Sequence, residues 1–510
     1  MKSLLTPNEA EAVKQARFSN DYDYIIDSDG KRVELNDQRI VHILPFPKNS
    51  YGRRLISGVY SKYNQKIRMA GETNTEILDY AKYICSGREC VPTAAIAGAI
   101  LYDIDHYRKE DEICVYRTPF QQDGPCQNGG WPLLFDTIAK RLNLRNIILG
   151  EAPYMHNDFL GLPLKVMIEE ILADIISQFI EEARNALFCV AKDRKSAMEQ
   201  FQIITDEYIE ETTKQKNDVR DGLKEWSEQI AKISQQHNIQ DLPKVLILGG
   251  LNLLFIHYPV EKYFLDNGIL PKVIDTTDSI HFLFSELLTR EGFKRGKTTP
   301  KAQFSIPSLL SSYFLDNNKK EAADLLYLRF IMYLLQLRAG EIRDIMKSTG
   351  LLFEEEIDFI DLLQKSNEYV SCNTFSETSL VTGRFIESVK SNHYDAIVNM
   401  GTFNCQPAMN SQAIIRPLAN RCDMPYAAID CEGPWISTNQ NRLLETIAIQ
   451  AKRYKENKEE KAPHKKKYTN GFDFSSLDNL KKFFVDSLER GYIFYHEISR
   501  RPPFSWFKLF

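Results

Sequence analysis

The chain has 510 residues, too many for one hydrophobic core, so we expect two or three packed domains. A hydrophobic fraction of 43%, a charged fraction of 26% and a net charge of −5 exclude a fibrous or wholly disordered chain and give no electrostatic reason to bind nucleic acid or an anionic membrane. The sequence has no apolar run long enough to span a bilayer and no signal-peptide core near its N-terminus, so we expect a cytoplasmic protein.

Residues 36–163 are predicted to form a first α/β lobe, after an N-terminal extension over residues 1–35. Short apolar runs alternate there with helical stretches, which is the pattern of parallel α/β layers. The predicted strands are RIVHILPF, KIRMAG, EICVYRTPF and NIILGE. The predicted helices are RRLISGVYSKY, TEILDYAKYI, PTAAIAGAILYDIDHY and WPLLFDTIAKRL.

Residues 164–240 have apolar residues at helical spacing and predict a helical connection. A second α/β lobe with a helical insertion is predicted over residues 241–455, with the strand runs KVLIL, KVIDT, YDAIVNM and PYAAID. Residues 456–510 read as a charged linker and an aromatic tail that docks on its own lobe or on a second copy. The predicted fold is therefore two Rossmann-like parallel-sheet lobes joined by helices.

Three of the nine cysteines lie where an α/β element ends and a helix is about to begin. Cys90 is in SGRECVP, Cys126 is in DGPCQNGG and Cys405 is in GTFNCQP. In doubly wound folds the loops at the carboxyl ends of the strands gather along one edge, so these positions can meet in space. Glycine and proline beside them allow irregular backbone whose N–H groups face an anionic group.

Two interpretations of these cysteines follow from the residues alone. A single cysteine in an α/β loop is usually a small buried apolar residue. Three thiolates around one point would instead suit an iron-sulfur cluster with one iron left open, or a zinc ion with an open position. The sequence has no compact C-x-x-C pattern to choose between them.

The segments ECVP, DGPC and FNCQP resemble the three cysteine motifs of the 2-hydroxyacyl-CoA dehydratase family. The similarity extends from about residue 38 to 455 and includes ETSLVTGRFIES and MPYAAIDCEGP; it is closest to the branch of double-cubane cluster proteins and dehydratase activase-related proteins. The resemblance implies that Cys90, Cys126 and Cys405 hold a [4Fe–4S] cluster at the cleft between the lobes. It also implies a separate ATP-hydrolysing activator, of the ASKHA type, that supplies a low-potential electron.

Two departures from the family pattern matter. The loop after DGPC reads QNGGW where relatives commonly have Arg and Phe, so a positive charge near the cluster is missing. The segment KVLILGGLNLL has neither the dinucleotide-binding glycines nor the Lys-Ser/Thr of a phosphate loop. Hydrolysis of ATP, if the chain depends on it, must therefore come from a partner.

A double-cubane 8Fe-9S cluster would need about six thiolates, and the resemblance leaves open whether one cubane or two is present. Cys85 and Cys431 are the best additional candidates, and Cys372 is a weaker one. Cys114 and Cys189 fit core positions. Two carboxylates beside the predicted ligands, Glu89 and Asp123, are candidate proton donors, but loop hydrogen-bond acceptors are the more common role.

The expected function is ATP-driven, low-potential electron transfer to an acyl-CoA or other small-molecule substrate near the cluster. The expected partners are the activator and a second copy in a homodimer, with no nucleic acid and no membrane. Two alternatives stay open at this point: a non-catalytic scaffold or regulatory component of such a system, and a metal-free α/β binding protein.

Overall fold

The computed structural model describes residues 13–20, 23–118, 124–149, 162, 164–250, 253–274, 285, 288–307, 309–310, 319–353, 357–374 and 376–461. The strands are β1 (Arg17–Phe18), β2 (Tyr24–Ile26), β3 (Arg32–Glu34), β4 (Ile40–Leu44), β5 (Ile67–Met69), β6 (Ile113–Tyr116), β7 (Ile147–Leu149), β8 (Lys244–Leu248), β9 (Leu270–Val273), β10 (Ala396–Thr402) and β11 (Tyr426–Cys431). The main helices are α1 (Ser50–Lys62), α2 (Thr75–Ala81), α3 (Val91–His106), α4 (Trp131–Leu142), α5 (Leu164–Val190), α6 (Arg194–Lys214), α7 (Leu223–Ile230), α8 (Leu253–Ile256), α9 (Tyr258–Asp266), α10 (Pro300–Gln303), α11 (Lys319–Lys347), α12 (Phe359–Ser366), α13 (Thr378–Ser391), α14 (Gln406–Arg421) and α15 (Thr438–Lys461).

Two separate four-stranded parallel sheets form the centres of the two lobes. The first has the strand order β5-β4-β6-β7 and the second has the order β9-β8-β10-β11. If the strands of each lobe are numbered along the chain, the order across each sheet is 2-1-3-4. The predicted α/β fold with two Rossmann-like lobes is therefore confirmed, and the two lobes share one topology.

The inner strands of both sheets are buried along their whole length because helices cover both faces of a parallel sheet. Every residue of β4, β6, β8 and β10 is buried. One continuous apolar core runs through both lobes, from Val41 to Ala451. None of the helices in the described ranges has the length and apolarity needed to cross a membrane.

Helix α5 lies between the lobes and contacts both of them. On the first-lobe side, the ammonium of Lys48 lies 2.7 Å from Asp174 Oδ2. On the second-lobe side, the Asn185 amide donates to Glu261 Oε1 at 2.9 Å in a buried position. The helical segment therefore packs against both lobes as well as connecting them.

Part of the predicted N-terminal extension forms a small antiparallel sheet of β1, β2 and β3. Its buried side chains, such as Phe18 and Ile25, pack against Ile113, Val115 and Ile148 of the first parallel sheet. The aromatic tail beyond Lys461 lies outside the described residues.

Candidate functional site

Each of the three predicted ligand cysteines is the residue immediately before a helix. Cys90 precedes α3, Cys405 precedes α14, and Cys126 precedes a 3₁₀ turn (Gln127–Gly130) that runs into α4. All three have extended backbone conformations, which directs the chain into the helix that follows. The first N–H groups of a helix have no partner inside it and carry partial positive charge, so each thiol lies where an anion is stabilised.

The three cysteine loops contact one another across the two lobes. The side chain of Gln127 accepts a hydrogen bond from the Cys90 amide at 2.8 Å and donates to the Asn404 carbonyl at 3.4 Å. The Asn404 side chain in turn donates to the carbonyl of Arg88 at 3.1 Å. Cys90 itself and the residues next to Cys126 and Cys405 therefore take part in one chain of hydrogen bonds, as the gathering of loops at the carboxyl edges predicts.

The thiols of the three cysteines are electrostatic neighbours. Burial raises the pKa of Cys126, and the negative charges of Glu377, Cys405 and Cys90 raise it further, while the main-chain amide of Asn128 lowers it. Burial also raises the pKa of Cys90. Cys90 and Cys405 are each only 6% exposed. An isolated cluster of buried thiols would stay protonated at neutral pH, and bound metal would deprotonate it.

Thr93 supports Cys90 from the first turn of α3. The indole Nε1 of Trp131 donates to Thr93 Oγ1 at 2.8 Å. Since an indole N–H can only donate, the Thr93 hydroxyl accepts there, and it also forms a hydrogen bond with Cys90 Sγ, 3.1 Å away, in which it can donate its proton to a thiolate. Trp131 begins α4, so this pair of bonds also ties the Cys90 loop to the Cys126 loop.

Glu377 is a residue of the site that the sequence analysis did not identify. It lies immediately before α13, and its negative charge raises the pKa of both Cys126 and Cys90. The only sequence signal was its place as the first residue of ETSLVTGRFIES, a segment noted for resemblance alone.

The structure also places the other cysteines. Cys85 lies near the Cys90 loop: burial, followed by the charges of Glu89 and Cys90, raises its pKa to about 12. Cys431 is buried at the end of β11, and its carbonyl accepts from the Phe403 amide at 3.1 Å. Cys372 has its thiol 3.4 Å from Gln303 Oε1. Cys114 in β6 and Cys189 in α5 are buried, as core residues are. None of the nine cysteines forms a disulfide.

Of the two candidate proton donors, Glu89 lies among the described residues and Asp123 does not. The Glu89 carboxylate accepts hydrogen bonds from the main-chain amides of Ser86, Gly87 and Arg88, at 3.0 to 3.1 Å. Burial raises its pKa, but these bonds outweigh that effect and lower it, so Glu89 has the role of a loop acceptor. Asp123 lies outside the described residues.

Among the described residues, no group of three or more His, Cys, Asp or Glu side chains has the spacing to bind one metal ion. In a cubane each thiolate ligates a different iron, so the sulfurs lie farther apart than the ligands of a single ion. A comparison with models of known protein families found no match, and neither did a comparison with curated proteins.

Proposed function

We propose that the chain is an iron-sulfur protein in which Cys90, Cys126 and Cys405 hold a [4Fe–4S] cluster between the two lobes. One observation carries the proposal: three thiols from both lobes, two of them buried and that of Cys126 half-buried, are electrostatic neighbours, and each lies at the start of a helix. The resemblance to the 2-hydroxyacyl-CoA dehydratases, which rests on motifs containing the same three residues, agrees with it.

The surroundings of the thiols fit an iron-sulfur group. Helix starts stabilise negative charge on thiolates and on the cluster sulfides. The Thr93 hydroxyl adds a donor to Cys90 Sγ. Buried Asn128, next to the Cys126 position, has an Oδ1 atom with no hydrogen-bond partner among the described residues. A carbonyl oxygen only accepts hydrogen bonds, so a bound water or an N–H or O–H group of a substrate, and not a cluster sulfide, would be its partner.

A bound cluster would supply reversible one-electron chemistry at low potential. The chain would contribute the remaining functions. The three cysteines would bind the cluster, Thr93 and the helix starts would orient and stabilise it, and the surrounding core would exclude water from it. Because the sequence has no phosphate-loop motif, we assign ATP hydrolysis to a separate activator protein. The substrate would be an acyl-CoA thioester or another small molecule bound near the cluster.

The proposal extends to location and assembly. A site of reduced thiols is maintained in the cytoplasm, where glutathione and thioredoxin keep cysteines reduced. The aromatic tail, with its Phe, Tyr and Trp side chains, is the segment we assign to docking on the chain itself or on a second copy in a homodimer. If two cubanes are present, Cys85 is the extra ligand with the best support, since its thiol responds to the charge of Cys90.

One observation favours a second candidate, an accessory electron carrier without its own substrate. Cys90 and Cys405 are each 6% exposed, so little of their surface is open to a small molecule. Both candidates hold the same cluster. They differ in whether a small molecule reoxidises the reduced protein, which can be followed by the recovery of cluster absorbance after adding a panel of acyl-CoA thioesters.

The test of the cluster itself is the content of iron and acid-labile sulfide in protein purified and reconstituted without oxygen, with electron paramagnetic resonance after reduction. About four irons per chain support one cubane and about eight support a double cubane. Cys405→Ala should lose most of the iron, whereas Cys189→Ala should keep it, because Cys189 is a core residue of α5. Absence of iron after reconstitution of the wild type would refute the proposal.

A further inference from the structure

The shared strand order of the two sheets makes positions in one lobe equivalent to positions in the other. In the first lobe, α3 is the helix that leads into the third strand, β6. In the second lobe, α13 is the helix that leads into the third strand, β10. The residue immediately before α3 is Cys90, and the residue immediately before α13 is Glu377. Glu377 therefore occupies the position that a ligand cysteine occupies in the first lobe.

Contacts independent of this equivalence place Glu377 at the cysteine site. The hydroxyl of Thr378, the next residue, donates to the carbonyl of Pro407 at 3.2 Å, and Pro407 lies two residues after Cys405. The Glu377 side chain extends over Gly250, which follows β8 and has a φ of +62°. A Cβ atom at Gly250 would clash with Glu377 Oε2, so the glycine leaves room for the carboxylate.

This location is the carboxyl edge of the second sheet between β8 and β10, where the strand order reverses. Ligands of open α/β sheets bind at such a reversal. The equivalent reversal in the first sheet lies between β4 and β6, and β6 leads to Cys126. The two reversals of strand order therefore bring the Glu377 carboxylate and the Cys126 thiol toward one another.

We propose that Glu377 ligates the iron that Cys90, Cys126 and Cys405 leave open, and this inference rests on the proposed function. Carboxylate oxygen is an established ligand of iron in proteins. The resulting site has three thiolates and one carboxylate, so one iron is held by a ligand that exchanges more readily than a thiolate. That iron is the place where a substrate oxygen or another ligand would enter.

The experiment compares three variants of the full chain after reconstitution without oxygen. Glu377→Gln removes the charge and keeps the shape, and Glu377→Cys supplies the thiolate that the equivalent position in the first lobe has. Glu76→Gln is the matched control, since Glu76 is an exposed carboxylate in the first turn of α2. Iron content, the spectrum of the reduced cluster and the reduction potential are measured, followed by mild oxidation with ferricyanide.

We expect all three variants to hold about four irons, because the three cysteines are intact. On oxidation the wild type should lose one iron and give a three-iron signal, Glu377→Gln should lose it several-fold faster, and Glu377→Cys should keep it. Loss of the negative ligand should also shift the potential of Glu377→Gln upward, and Glu76→Gln should match the wild type.

The inference is overturned if Glu377→Gln and Glu377→Cys give the wild-type spectrum, potential and rate of iron loss, even if both unfold at a lower temperature. That result would assign Glu377 a structural role only. Absence of iron from the wild type would be a different failure, namely that of the proposed function.

Discussion

Burial sets the protonation state of His42, a side chain of the first lobe. His42 lies in the middle of β4, is 2% exposed and packs edge-on against the ring of Tyr60, with ring centroids 5.9 Å apart. Burial, aided by the positive charge of Arg117, lowers the pKa of His42 from 6.5 to about 3. The imidazole is therefore neutral in the folded protein at any pH where the protein is expected to function.

This histidine makes the free energy of unfolding depend on pH. The unfolded chain takes up a proton at His42 below pH 6.5 but the folded chain resists until about pH 3, so stability is lost as the pH falls through that window. We expect a loss of about 2 kcal/mol between pH 6.5 and pH 5 from this residue alone. Denaturant unfolding of wild type and His42→Phe at several pH values measures it.

The free energy of unfolding of the His42→Phe variant should depend less on pH between 6.5 and 5 than that of the wild type, whatever its value at neutral pH. Carboxylates titrate in both proteins, so they cancel in the comparison. Identical slopes for the two proteins would mean that His42 gains a proton as readily in the folded state as in the unfolded chain.

At the same scale, the sequence was sufficient to locate the three cysteines but not Glu377. Each cysteine lies between a recognisable strand or loop and a helix that begins with proline or glycine-rich backbone, so its position could be derived. A glutamate before a helix is common in proteins, and such residues usually stabilise the helix start. Only the strand order of the second sheet shows that it is equivalent to Cys90, and strand order is not contained in a local pattern.

The elements around the Cys90 loop are packed unusually closely. Helices α2 and α3 approach each other at Gly98, where a Cβ atom would clash with the main-chain carbonyl of Ile77. The loop between these helices, residues 82–90, contains Cys85 and Cys90. The contact at Gly98 therefore fixes the geometry of the loop that bears the first predicted ligand.

Gly98→Ala should force α2 away from α3, because a main-chain carbonyl cannot rotate aside as a side chain can. We expect a loss of about 1–3 kcal/mol in the free energy of unfolding, the usual cost of inserting a methyl group into a packed site. The displaced loop should also hold iron less firmly. Thermal unfolding and the rate of iron release to a chelator measure the two effects.

Gly130→Ala is the matched control, since Gly130 is also in a cysteine loop but its Cβ would have no atom within 4 Å and its φ is −88°. It should behave as the wild type in both measurements. Equal effects of the two substitutions would show that the close approach at Gly98 is not what positions the loop.

The longer elements could be predicted from sequence, and the shortest could not. Runs such as VLIL and AIV, within KVLIL and YDAIVNM, have consecutive apolar residues, which is typical of strands covered on both faces. Strands β1 to β3 contain only two or three residues each, too few for a periodic pattern, so residues 1–35 were not assigned a sheet. The turn Asp29-Gly30 between YII and RVE was the available signal for a hairpin.

For the whole molecule, the important contacts are those between the lobes. Gln127 of the first lobe holds both the Cys90 amide and the carbonyl of Asn404 in the second lobe. Asn404 has a left-handed backbone, with φ of +63°, so the turn before Cys405 is held in a conformation that few residues adopt. Together with the bond from the Asn404 side-chain amide to the Arg88 carbonyl, the Gln127 side chain joins the two halves of the site.

Gln127→Ala should loosen the site without unfolding either lobe. We expect the free energy of unfolding to fall by about 1–2 kcal/mol, the usual value for losing hydrogen bonds of this kind, and iron to be released several-fold faster. Far-ultraviolet circular dichroism should not change. Gln406→Ala is the control, because Gln406 adjoins Cys405 but bonds to Asn410 within its own helix, at 3.2 Å.

Retention of iron at the wild-type rate in Gln127→Ala would show that the helices around α5, and not the cysteine loops, hold the lobes in register.

The two-lobed architecture itself could be predicted from the alternation of strands and helices on either side of the helical segment. The identical strand order could not, because the connections between the second and third strands differ greatly in length: β5 and β6 are separated by residues 70–112, β9 and β10 by residues 274–395.

The pairing of Gln127 with Asn404 joins residues that are 277 positions apart in the chain. A ribosome adds roughly 5–20 residues per second, so the second half of the site is made roughly 15–55 s after the first. During that interval Cys90 and Cys126 have left the ribosome without Cys405 and Glu377. A cofactor that needs all of these residues can be inserted only after synthesis has passed the second lobe, and the early cysteines must be kept reduced until then.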